Sequence, residues 1–144
     1  MERPKAERYS VGEAESMPDD RIVEWAQGLV KHDVHAFERA RRRFLRRPSA
    51  SRLHELRTTA RRLRSLHDDL HEAAPAFSIK RLRQLVDLTG EARDAAVLRD
   101  ALRDVLDPRE HRIARSMLRT LRQRERVALG RITRMLEHMK PLEA

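Results

Sequence analysis

Four prolines, Pro48, Pro75, Pro108 and Pro141, divide most of the chain into long stretches. Proline lacks an amide hydrogen and disfavours helical backbone in the residue before it, so each one marks where a helix stops or starts. Between them, apolar residues recur three and four apart, the period of one helix face. Ile22, Ala26, Leu29, Val30, Phe37 and Phe44 mark the first stretch, and Leu53, Leu56, Ala60, Leu63 and Leu70 the second. Ile79, Leu82, Leu85 and Val86 open the third, which resumes through Val97, Leu98, Ala101, Leu102, Val105 and Leu106. Met117, Leu121, Ala128, Ile132, Met135 and Met139 mark the fourth. Sheets draw on aromatic and β-branched residues and need turn glycines. This chain is 3% aromatic and has four glycines in 144 residues, so helices must build it.

Cap signals set the expected boundaries. Ser16-Met17-Pro18-Asp19 resembles a capping box and opens a helix to about Arg46. Ser49 or Ser51 caps the second helix, to about Glu72, and Ser78 opens the third. Gly90 predicts a kink or break there. Asp107-Pro108-Arg109-Glu110 places an N-cap, a first-turn proline and a third-position glutamate in a row, opening a helix to about Lys140. Short connections make neighbours antiparallel. The expectation is all-α: an up-down four-helix bundle over residues 17–141, after a disordered leader at 1–16. No apolar run nears the ~20 residues of a membrane span, and the N-terminus lacks a signal-peptide core. The chain is therefore expected in the cytoplasm. With no cysteine, disulfides and thiolate sites are excluded.

Charge carries the functional signal. Lys plus Arg number 32 against 23 acids, a net charge of +9. All but Lys5, Lys31, Lys80 and Lys140 are arginine, whose planar fork matches phosphate oxygens. GC-rich codon usage also favours arginine, so the placement matters more than the number. On the second helix, His54, Arg57, Arg61 and Arg64 are spaced 3, 4 and 3, roughly 100° round from the apolar stripe. On the last, Arg112, Arg115, Arg119, Arg122 and Arg126 form a similar row. On the first, Lys31, His35, Arg39, Arg42 and Arg46 lie nearly opposite the core face. A basic row is ordinarily a solvated flank. Here no acid interrupts the rows, although like charges at these spacings repel by a few tenths of a kcal/mol per pair. Three self-repelling rows point to a shared polyanion. The aromatics form no stacking platform for single-stranded bases. The chain has no Asn and only three Gln to read base edges. It offers phosphate contacts in abundance and few groups for reading bases.

Two segments carry a family resemblance. Leu53-His54-Glu55-Leu56-Arg57-Thr58-Thr59-Ala60-Arg61-Arg62-Leu63-Arg64 resembles the first signature of the CHAD family, the conserved histidine α-helical domain. Leu82-Arg83-Gln84-Leu85, followed by Gly90-Glu91-Ala92-Arg93-Asp94-Ala95-Ala96-Val97-Leu98, resembles its second. Together they span about residues 50–106. The resemblance implies a helical fold whose basic groove or pore binds inorganic polyphosphate, and an association with polyphosphate granules. Carried over by position, it names His54, Arg57, Arg61, Arg62, Arg64, Arg83 and Arg93 as ligand-binding residues, with Asp94 orienting an arginine. Thr89 and Ala96 depart from the pattern, where Leu and an acid are usual. Family members usually carry two such bundles in pseudo-twofold relation, and this chain carries one. A homodimer that sets two basic rows across a groove is therefore expected.

Other constellations weigh less. His67 and His71, four apart beside Asp68 and Asp69, could chelate a divalent ion, but a polar helix end is the ordinary reading. His54 is a surface histidine, a phosphate donor within its basic row, or a metal ligand or phosphoacceptor. No nucleophilic triad, phosphate-cradling glycine loop or inward carboxylate cluster is visible, so neither an enzyme nor a cofactor site is expected. The leading expectation is non-catalytic binding of inorganic polyphosphate by His54, Arg57, Arg61, Arg62, Arg64, Arg83 and Arg93, with the outer rows at Arg39, Arg42 and Arg46 and at Arg115, Arg119 and Arg122. Sequence-independent binding to nucleic-acid backbone is the alternative.

Overall fold

A computed structural model of the chain describes residues 19–70, 79–107 and 109–142. They form four helices: α1, Asp19–Arg46; α2, Ala50–Asp69; α3, Ile79–Val105; and α4, Arg112–His138. Each helix packs closely against its two ring neighbours, α3 against α4 most extensively and α1 against α4 least. This is the expected four-helix bundle. Its core is Val30, Val34, Phe37 and Phe44 from α1, Leu56 and Leu63 from α2, Leu82 and Leu85 from α3, and Ile132 and Leu136 from α4. No helix among the described residues is long and apolar enough to cross a membrane. The expected leader, the cap at Ser16 and the opening at Ser78 lie outside the described residues.

Local chemistry explains most of the boundaries. Ser49 caps α2 as expected, its Oγ accepting from the Arg52 amide at 3.2 Å. The Arg52 side chain donates to the carbonyls of Arg43 at 3.0 Å and Arg47 at 2.8 Å, closing the end of α1. Two boundaries depart from the sequence reading. Helix α3 runs through Gly90 without a break. One glycine costs about 1 kcal/mol in a helix, less than the burial of Leu85, Val86, Ala92 and Ala95 on either side supplies. Helix α4 begins at Arg112, later than the Asp107 signal placed it. Asp107 instead closes a turn: its Oδ1 accepts from the Arg109 amide at 2.8 Å, and its carbonyl accepts from Glu110 and His111.

The bundle is staggered. The α1–α2 junction at Pro48 and Ser49 lines the same cleft as Arg99, Asp100 and Glu125. The last turn of α3 and the first three turns of α4 therefore extend past the α1–α2 junction. Val105 (79% exposed) and Ile113 (77%) show the consequence. Trp25 is 49% exposed near the start of α1, and Met117, expected inward, is also exposed.

Candidate functional site

The cleft at the α1–α2 junction has a volume of about 460 Å³. Helix α2 contributes Leu53, His54 and Arg57, α3 contributes Arg93, Ala96 and Asp100, and α4 contributes Glu125 and Leu129. The capped first turn of α2 fixes where His54 and Arg57 stand. Burial of Leu56 and Ala60 fixes the rotation of α2 and turns His54, Arg57, Arg61 and Arg64 toward the α2–α3 seam.

Arg57 is the electrostatic centre of this cleft. Its guanidinium is held below the ordinary arginine value, first by burial, then by the like charges of Arg61 and Arg93, with Asp94 opposing. Its Nε is buried and has no hydrogen-bond partner among the described residues. A cation crowded by cations, with an unused donor, gains most from an incoming anion. The opposite wall is already neutralised. Arg99 donates to Glu125 across the α3–α4 interface and to Asp100 at 3.3 Å.

The structure brings some of the expected residues together and leaves others apart. His54, Arg57 and Arg93 line the cleft. Arg61 and Arg64 continue the row one and two turns along α2, Arg61 exposed and Arg64 half-buried. Arg62 stands about 100° from Arg61. It shares its flank with Glu55, seven residues earlier, which bonds Arg43 of α1 at 2.8 Å. Arg83 lies about 15 Å down the axis of α3 from Arg93 and pairs with Asp68 at 2.9 Å. Arg39, Arg42 and Arg46 occupy the side of α1 away from its buried stripe. Arg115, Arg119 and Arg122 are exposed on the extended part of α4, and none of them lines the cleft. Half-buried His67 stands beside Asp68 at 3.8 Å, while His71 lies outside the described residues.

Arg99 and Glu125 were not anticipated, because their partnership depends on the α3–α4 register. Arg41 was also missed, although its signal was present. It sits four residues after Phe37 and three before Phe44, on the apolar stripe itself. It is 8% exposed and donates to the carbonyls of Leu136 and Met139 at the end of α4. Glu38 pairs with it at 3.5 Å and accepts from the Leu142 amide at 3.0 Å. This clamp closes the weakest seam of the bundle, between α1 and α4.

Comparison with protein-family models, curated proteins and solved structures gives no match.

Proposed function

We propose that the chain binds inorganic polyphosphate without turning it over. The cleft would receive phosphates at His54, Arg57 and Arg93, and the row at Arg61 and Arg64 would carry the polyanion along the α2–α3 seam. The observation that carries this reading is Arg57, whose charge is opposed by Arg61 and Arg93 and whose Nε is unused. Phosphate oxygens supply both the missing charge and the missing acceptor. The resemblance of residues 50–106 to the CHAD signatures supports the same ligand. The acids at the cleft, Asp100 and Glu125, are engaged by Arg99, which favours holding an anion over reacting with it. On this reading the chain works in the cytoplasm at polyphosphate granules. The outer rows at Arg39, Arg42 and Arg46 and at Arg115, Arg119 and Arg122 would add long-range attraction.

Competition binding at a single salt concentration tests the proposal. Long-chain polyphosphate should displace labelled duplex DNA at lower phosphate concentration than the reverse. Preference for the duplex would instead make this a protein that binds nucleic-acid backbone.

A further inference from the structure

The side of the α3–α4 pair turned away from the cleft carries a groove that no part of the described chain fills. Leu98, Ala101, Leu102 and Val105 of α3 line it with Met117 and Leu121 of α4, enclosing about 520 Å³. Leu98 and Asp100 differ by two residues, or 200° of helix, so this groove and the phosphate cleft face in opposite directions. Soluble helices rarely leave this much apolar surface on one face.

The charges around the groove indicate what covers it. Asp87 and Glu91, both exposed, continue the Leu98 stripe of α3 toward the middle of the bundle, eleven and seven residues before it. Arg124 and Arg131 continue the Ile113–Met117 stripe of α4 in the same direction. Glu91, Arg124 and Arg131 share one shallow depression with Val127 and Ala128. The face is therefore apolar at its tip, with an acidic edge on α3 and a basic edge on α4. A face with one acidic and one basic edge complements itself. A two-fold axis along the pair sets each α3 over the other copy's α4, with acids opposite arginines and tip opposite tip. The face is about 25 Å long and two helices, about 20 Å, wide, or about 500 Å² in outline, the size of a weak and reversible interface.

We infer that this face is where a second copy of the chain docks, through Leu98, Val105, Ile113 and Met117. The inference does not depend on the polyphosphate reading. It also differs from the dimer expected from sequence, since the apolar face, and not the basic rows, makes the contact. Both phosphate clefts stay open on the outside of the pair.

Sedimentation equilibrium of the full chain, without ligand, tests it. The expected result is twice the chain mass at tens of micromolar. Val105→Lys with Met117→Lys should weaken association at least tenfold while far-UV circular dichroism and thermal midpoint stay unchanged, because both residues are exposed in the single chain. Glu91→Arg alone should weaken it, and adding Arg131→Asp should restore it. A monomer throughout that concentration range would overturn the inference. So would a dimer that survives Val105→Lys/Met117→Lys, or a reversal pair that fails to recover association.

Discussion

Arg57 of α2 and Arg93 of α3 line one cleft, and the charge of Arg93 makes the charge of Arg57 costlier to hold. They come from separate signature segments and meet only because α2 and α3 run antiparallel with their buried stripes in contact. Arg61, one turn along, adds to the repulsion, and Asp94 only partly offsets it. A fold built for stability alone would pair or remove one of these arginines. Their placement in one cleft is the observation on which the proposed polyanionic ligand rests.

Removing the charge should therefore help the empty protein. A base whose value is lowered on folding holds its proton less tightly in the folded chain, so its protonated form opposes folding across the whole ordinary pH range. Arg57→Met keeps the stem and drops the charge. Its thermal midpoint without ligand should rise by about 2 °C, the scale of relieving like-charge pairs of a few tenths of a kcal/mol each. With polyphosphate present the order should reverse, the parent chain gaining more. Calorimetric scans with and without ligand read both effects.

Arg41 should behave oppositely. It closes the carbonyl end of α4 and holds Glu38, which in turn holds the Leu142 amide. Arg41→Met should cost about 2–3 kcal/mol, the worth of its charged hydrogen bonds. Amide exchange should accelerate first at the end of α4, before the α2–α3 seam. Polyphosphate affinity per folded molecule should be unchanged, since Arg41 is remote from the cleft row.

Salt should report how many phosphates are neutralised. With about six contacts, log affinity against log salt should fall with a slope near −4 by the single-strand rule of about −0.7 per phosphate. Titrations at several salt concentrations measure it. A slope near zero would mean the arginine row is not the binding surface.

Features set by neighbours in sequence could be read directly. The four helices, the stop at Pro48 and the Ser49 cap are local, as is the α2 basic row. The row's partner was less accessible. That Arg93 meets Arg57, while Arg83 goes to Asp68, depends on α2–α3 register, which no single-helix pattern encodes. Asp107-Pro108-Arg109-Glu110 has the right chemistry for a helix start, but Asp107 spends its carboxylate on the Arg109 amide in a turn, and α4 begins afterwards. Gly90 weakens α3 too little to outweigh the packing around it. Val105 and Met117 carry the apolar pattern of core positions, yet they lie on helix ends that run past their neighbours. Relative helix lengths and stagger decide that exposure.

The central claim is that the α2 row is a site and not merely part of a basic surface. Arg57→Ala with Arg61→Ala should reduce affinity for long-chain polyphosphate by one to two orders of magnitude at moderate salt, a loss of about 1.5–3 kcal/mol in all for two salt-screened charged contacts. Arg21→Ala with Arg81→Ala removes equal charge from exposed arginines outside the rows, and should change affinity less than threefold. Isothermal titration of polyphosphate into the two double variants and the parent, under one buffer condition, is the decisive comparison. The account predicts a large loss in the first variant and near-parental binding in the second. Equal losses in both would show that binding is diffuse electrostatics and that the cleft holds no phosphate.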